Sequence, residues 1–211
     1  MASSASPDAV VDTVVLRYFL LVDEIDLLLD LLGDPIAVPR VVFDRDEGEI
    51  PETARSEVTR SIHYQRRAAL DPARDAESKQ LATRNAERLA RVFELHSQAR
   101  LQVVDLSETE RHTLGQLTSP SGCKNFGLAF PLDPGEAACV SVAVARGLVL
   151  ATDDGDALKA LHAIAADHPY ERIRKLLIRA AKNTMVSTER ANAIHREMRT
   201  VGFWDSQRPF T

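Results

Sequence analysis

Four short apolar segments, each leading into or following a stretch with helical spacing, constrain the fold of this chain most strongly. They are DAVVDT (8–13), PIAVP (35–39), RLQVVDLS (100–107) and LVLAT (148–152). A continuous apolar run of this length beside a helix is typical of a buried parallel strand. The alternation therefore predicts an α/β protein with a central, mostly parallel sheet between helices.

The segments between these strands predict where the helices begin and end. Residues 13–32 have helical periodicity with a break near Val22, and residues 52–99 are helix-rich with a boundary at the Asp-Pro pair 71–72. Residues 107–131 lack such periodicity, so we expect irregular structure there. The tail from 157 to 200 is predicted to be helical with two breaks.

One helix start is specified in unusual detail. Asp133 is a suitable N-cap, Pro134 suits the first helical position, and Glu136 follows Asp133 by three residues. The helix is predicted to run to Arg146, with Gly147 ending it.

Composition and charge narrow the class of protein. Hydrophobic residues make up 45% of the 211 positions and charged residues 27%, which is ordinary for a soluble domain. Residues 1–52 hold 12 acids and 3 bases, whereas residues 53–100 hold 6 acids and 10 bases. This asymmetry suits a polyanionic substrate that is drawn to a metal site, although solvated helix faces would give the same pattern.

Three further features favour a cytoplasmic protein with no membrane partner. Cys123 and Cys139 are too few for a disulfide framework, so we expect reduced thiols. The first residues, MASSASPDAV, lack the basic start and the apolar segment of a secretory signal. The most apolar stretch, residues 10–33, is interrupted by six charged side chains, which argues against a membrane span.

Acidic residues gather where predicted strands end. They are Asp12, Glu136, Asp153, Asp154 and Asp156. The carboxyl ends of parallel strands meet at one edge of a sheet, so these side chains are expected to converge there. Converging carboxylates repel one another, and a divalent cation relieves that repulsion. Oxygen ligands favour Mg²⁺ or Mn²⁺ over zinc.

Each acid also has a purely local interpretation. Asp12 suits the N-cap of the next helix, and Glu136 suits the capping-box partner of Asp133. Asp153 or Asp154 could cap the helix that follows, with Asp156 in its first turn. A metal held by carboxylates would instead activate a water and neutralise charge on a phosphodiester, which predicts hydrolysis of a nucleic acid.

The same pieces, in the same order, resemble the PIN-domain nucleases. VVDTVVL resembles the opening strand of that family with its first metal-binding acid, here Asp12. IAVPRVVFD resembles the second strand and its acid, for which Asp44 is the nearest match. LDPGEAACVSVAVARG resembles the helix with a central Glu, here Glu136, and LVLATDDGDA resembles the strand and acidic turn with Asp154.

The resemblance implies a three-layer α/β/α PIN-like fold. Residues 1–166 would form the nuclease domain with a helical insert at about 45–99, and residues 167–211 a C-terminal helical extension packed on the same domain. Catalysis would fall to Asp12, Glu136 and Asp154. The implied metal ligands are Asp12, Asp44, Glu136, Asp153, Asp154 and Asp156. The segment after Asp44 offers Asp46 and Glu47 as further candidates for the second acid.

The implied function is Mg²⁺- or Mn²⁺-dependent cleavage of RNA by an endoribonuclease. Many members of the family are toxins of toxin–antitoxin modules, so an antitoxin protein and a homodimer are further expectations. The leucine-rich face of residues 15–32 is either core or a partner surface. The alternatives are a non-catalytic PIN-like module that binds RNA or protein, and a nuclease that acts on DNA.

Overall fold

The structure, a computed structural model, describes residues 6–44 and 55–210, and within them it contains one five-stranded sheet. The strands are β1 (Ala9–Val11), β2 (Ile36–Pro39), β3 (Leu101–Val104), β4 (Val149–Ala151) and β5 (Tyr170–Glu171). Their order across the sheet is β3-β2-β1-β4-β5, and every neighbouring pair is parallel. The predicted α/β class and parallel sheet are confirmed.

Helices connect the strands and cover the sheet. They are α1 (Thr13–Leu21), α2 (Ile25–Leu32), α3 (Glu57–Leu70), α4 (Ala76–Ser97), α5 (Glu108–Thr118), α6 (Pro134–Arg146), α7 (Gly155–Ile164), α8 (Ile173–Lys182) and α9 (Thr188–Thr200). Helix α6 packs on β1, β2 and β4, with α5 and α7 beside it. A second group of helices is linked by the packing of α1 on α4, of α2 on α8 and of α1 on α9. This arrangement agrees with three layers, helix, sheet and helix.

The core explains why such short strands are stable. All three residues of β1 and all four of β2 are buried, so the sheet centre has no solvent-exposed face. The apolar side chains of α1 and α2 are buried as well, including Phe19 and Leu28. The leucine-rich face of residues 15–32 is therefore core in this chain, not an open partner surface.

Several predicted helix boundaries are confirmed. The break near Val22 separates α1 from α2, and Asp71 ends α3 ahead of α4. Ser187 caps α9 by accepting a hydrogen bond from the N–H of Arg190 at 3.1 Å. Gly147 ends α6 in the left-handed conformation, with φ of 67°.

The expectation of irregular structure over residues 107–131 was wrong, because α5 begins at Glu108. A capping box starts this helix: Ser107 Oγ accepts from the N–H of Glu110, and Glu110 accepts from the N–H of Ser107. The carboxylate of Glu110 is buried and pairs with Arg146 of α6 at 2.7 Å. Only Glu110 and Leu117 of α5 are buried, so this helix has no apolar periodicity in the sequence.

The predicted C-terminal extension and the predicted helical insert also differ from the structure. Residues 167–211 were predicted to be a helical extension, yet β5 within this segment joins the edge of the sheet. Helices α3 and α4 pack against each other and form the crossover from β2 to β3, in the place of the expected insert at about 45–99.

Cys123 and Cys139 are free and buried. Within the described part of the chain, no helix combines the length and the apolar character needed to cross a membrane.

Candidate functional site

Four carboxylates stand at the starts of four helices near the carboxyl ends of β1 and β4. Asp12 follows β1 and caps α1, and Asp154 follows β4 and caps α7. Glu136 is in the first turn of α6, and Glu57 is the first residue of α3. Asp12, Glu57 and Glu136 line one cleft of about 720 Å³, here called the acidic cleft. Asp154 lies close enough to raise the pKa of both Asp12 and Glu136.

Asp12 lies deepest in this site, with only 1% of its surface exposed. One carboxylate oxygen accepts from the N–H of Thr13 at 2.6 Å, and the other accepts from the hydroxyl of Thr152 at 2.8 Å. Burial raises the pKa of Asp12 to about 7, against the hydrogen bond from Thr152, and repulsion from Glu57 and Asp154 adds to the rise. Among residues 6–44 and 55–210, no cationic side chain is paired with the carboxylate of Asp12.

Glu136 is perturbed in the same direction. Its Oε2 accepts from the N–H of Asp133 at 3.3 Å, which is the capping role that the sequence indicated. Burial raises the pKa of Glu136 to about 8, and the charges of Asp154 and Asp12 contribute to the rise. Glu136 therefore has both roles: it takes part in the cap of α6, and it lies close to the other acids.

Thr152 links the two strand-end aspartates. Its hydroxyl donates to Asp12 and accepts from the N–H of Asp154 at 3.1 Å. The carboxylate of Asp154 in turn accepts from the N–H groups of Asp156 and Ala157, both at 2.7 Å. One oxygen of Asp154 is thereby fixed by the start of α7, which sets the direction of the other.

Glu57 is the site residue that the sequence prediction missed. Its carboxylate accepts a hydrogen bond from the hydroxyl of Thr13, next to Asp12. It also lies against the start of α6 so closely that a Cβ at Gly135 would collide with it. The signal in the sequence was Ser56, a common N-cap residue, followed at once by an acid; like the other three acids, Glu57 stands at the start of a helix.

Asp44, the predicted second acid, lines the cleft, but its carboxylate is bound by the guanidinium group of Arg40. Both of its oxygens accept from Arg40 at 2.9 Å, and Arg40 is also bonded to Asp105 at 2.8 Å. Glu57, and not Asp44, contributes to the rise in the pKa of Asp12. The other candidates for this acid, Asp46 and Glu47, lie outside the described residues.

Asp153 does not join the acidic cleft. It is buried, and its carboxylate accepts from the N–H of Ile173 at 2.8 Å and from Arg172 at 3.2 Å, at the start of α8. Asp156 is half exposed in the first turn of α7 and pairs with Lys159 at 2.6 Å. The local interpretation therefore describes Asp156, whereas Asp153 contacts the start of α8 and leaves the N-cap of α7 to Asp154.

The donor set fits a hard divalent cation. Among residues 6–44 and 55–210, no three His, Cys, Asp or Glu side chains are already placed so that they could hold a metal ion. The oxygens of the four acids instead accept from nearby N–H and hydroxyl groups, as expected of carboxylates that repel one another. Burial and repulsion from neighbouring carboxylates raise the pKa of two of these acids, and oxygen donors are those that Mg²⁺ and Mn²⁺ prefer.

Arginines form the rest of the cleft wall. Arg40, Arg55 and Arg60 line it together with the acids. The starts of α1, α3, α6 and α7 add partial positive charge on the same side of the sheet. Both features are suited to a phosphate group held beside the carboxylates.

Comparison with known proteins identifies no relative: no family model, no curated protein and no solved structure matches this chain.

Proposed function

We propose that this chain is a Mg²⁺- or Mn²⁺-dependent endoribonuclease with a PIN-like fold. The observation that carries the proposal is the pair of carboxyl groups, Asp12 and Glu136, whose pKa is raised to about 7 and about 8 beside two further acids. A fold that buries repelling carboxylates without a cation partner loses stability at neutral pH, and a divalent cation compensates for that loss.

The residues that would hold the cation are Asp12, Glu57, Glu136 and Asp154. When bound there, a divalent cation lowers the pKa of a coordinated water and neutralises charge on a phosphodiester. The chain itself supplies orientation: Thr152 fixes the two aspartates relative to each other. Arg40 and Arg60, in the same cleft, would bind the phosphate oxygens of the substrate.

RNA as the substrate, the cytoplasm as the compartment and a toxin role with an antitoxin partner and a homodimer are parts of this proposal. They follow from the resemblance to PIN-domain nucleases. Competition between labelled RNA and DNA at one salt concentration tests the substrate. An adjacent reading frame that encodes a small DNA-binding protein would support the toxin role.

A non-catalytic module is the second candidate, because each of the four acids already accepts a hydrogen bond from another group of the chain. Such a module would bind RNA through its arginines and would gain nothing from a divalent cation. Binding of Mn²⁺ that disappears in Glu136→Gln would exclude this interpretation.

Cleavage by two variants of the same turn tests the enzyme directly. Asp154→Asn keeps a good N-cap but removes a ligand charge, so we expect the fold to persist and RNA cleavage with Mn²⁺ to fall by at least ~100-fold. Asp156→Asn is the matched control, since Asp156 pairs with Lys159 and should leave cleavage near the wild-type rate. The proposal fails if the wild type cleaves no RNA with either cation, or if both variants cleave alike.

A further inference from the structure

A second groove continues from the acidic cleft along helix α3. Its cavity of about 470 Å³ is lined by Arg17, Arg60 and Tyr64, among other residues. Glu57 and Arg60 line both this cavity and the acidic cleft, so the two adjoin each other. We call it the α3 groove. Its volume falls within the ~300–1,000 Å³ of typical small-ligand sites.

Tyr64 is the unusual residue of the α3 groove. Its side chain is 55% exposed, on a helix whose other large apolar side chains include the buried Ile62. It lies one helical turn after Arg60, so the ring and the guanidinium are neighbours on one face of α3. The ring has no aromatic partner among the described residues. Packing of the fold therefore does not account for an aromatic side chain at this position.

The charges of the two cavities differ in sign. Five carboxylates and three arginines line the acidic cleft, whereas three arginines and a single carboxylate, that of Glu57, line the α3 groove. Arg17 is held at the groove by its contact with the ring of Tyr18, 5.7 Å from the guanidinium carbon to the ring centroid. A phosphate therefore meets net positive charge in the α3 groove before any cation is bound in the cleft.

We infer that the α3 groove binds an unpaired nucleotide of the RNA strand, next to the phosphodiester held in the acidic cleft. The nucleobase stacks on Tyr64, and its phosphate pairs with Arg60 and Arg17. A base within a duplex has both faces covered by its neighbours, so only an unpaired base can use this ring. The inference rests on the proposed function, because the adjoining cleft must hold the rest of the strand.

Binding of a short labelled RNA without secondary structure, followed by fluorescence anisotropy in a chelator, tests the groove separately from cleavage. We expect Tyr64→Ala to weaken binding by about 5- to 100-fold, because loss of one stacked base costs that much. Tyr64→Phe keeps the ring and should bind within about twofold of the wild type. Arg60→Gln should reduce the slope of log affinity against log salt by about 0.7.

Phe130→Ala provides the matched control, because Phe130 is 75% exposed and lies outside the α3 groove. It should bind the RNA as the wild type does, and a blunt duplex should bind with no dependence on Tyr64. The inference is overturned if Tyr64→Ala binds as tightly as the wild type, or if Phe130→Ala weakens binding equally. A protein that binds through Tyr64 but cleaves nothing with Mn²⁺ would refute the nuclease and leave the groove standing.

Discussion

At the scale of single residues, the four acids of the site each combine a local role with a shared one. Asp12 and Asp154 cap helices, and Glu136 closes a capping box. Those roles account for their positions in the sequence. They do not account for the pKa of Asp12, which burial and the charges of Glu57 and Asp154 raise despite the hydrogen bond from Thr152. The excess negative charge is the residue-level evidence for a cation.

The choice between Glu57 and Asp44 as the second acid yields a prediction at this scale. Glu57→Gln removes a carboxylate beside Asp12, so we expect Mn²⁺-dependent cleavage to fall by ~100-fold or more. Asp44→Asn weakens the contact with Arg40 but removes none of the charges that raise the pKa of Asp12. It should therefore lower cleavage by less than ~10-fold. Initial cleavage rates of the two purified variants decide the matter. Equal losses of cleavage, or a larger loss in Asp44→Asn, would contradict Glu57 as the second metal-binding acid and favour Asp44.

The sequence located the acids that lie close together at this edge of the sheet where an acid directly follows a predicted strand or begins a well-marked helix. Asp12, Glu136 and Asp154 meet that condition. Glu57 does not, because residues 40–56 separate it from the end of β2, and Asp44, Asp46 and Glu47 are nearer to that strand in the sequence. A rule based on helix starts, not strand ends, would have found it.

At the scale of elements, the starts of α3 and α6 are brought together by a glycine. Gly135 lies under the carboxylate of Glu57, and any side chain there must displace that flexible carboxylate. The absence of a Cβ at the second position of α6 is therefore a requirement of the site and not of the helix.

Gly135→Ala tests this contact. We expect the free energy of unfolding to change little, since alanine favours a helix and Glu57 can rotate away, while Mn²⁺-dependent cleavage falls by at least ~10-fold. Gly115→Ala is the matched control in α5, where a Cβ meets nothing within 4 Å. It should raise the free energy of unfolding by up to ~1 kcal/mol and leave cleavage unchanged. Similar cleavage by both variants would contradict the assigned role of Gly135.

Helices and strands were predictable from the sequence where apolar periodicity and capping residues mark them. The breaks at Val22 and Asp71 and the helix from Pro134 to Arg146 follow from periodicity and capping residues. Helix α5 was missed because only Glu110 and Leu117 of its residues are buried, which leaves no apolar periodicity, although the capping box of Ser107 and Glu110 marks its start. Strand β5 was missed because two residues are too few to form a pattern.

At the scale of the whole molecule, the strand order β3-β2-β1-β4-β5 explains why the acids converge. Strands β1 and β4 are neighbours and parallel, so Asp12 and Asp154 extend from the same edge. The sequence indicated this edge through the alternation of strands and helices. It did not indicate that the crossover helix α3 would bring Glu57 to the same place, since that depends on packing of α3 beside α1.

The charge of this edge predicts how stability depends on pH. The pKa of Asp12 rises from 3.8 to about 7 on folding, and that of Glu136 from 4.5 to about 8. A carboxyl group with a raised pKa costs nothing while it is protonated in both states, so the cost of burying Asp12 and Glu136 is smallest near pH 4. The metal-free protein should therefore lose free energy of unfolding as the pH rises from about 4 to about 8.

Thermal unfolding with and without Mn²⁺, near pH 5 and near pH 8, tests the central claim most directly. We expect saturating Mn²⁺ to raise Tm by about 5–10 °C near pH 8, where the carboxylates are ionised, and to have little effect near pH 5. Glu136→Gln should remove most of the shift near pH 8, while Asp156→Asn should retain it. An unchanged Tm with Mn²⁺ near pH 8, or equal shifts in the wild type and Glu136→Gln, would contradict a cation site formed by these carboxylates.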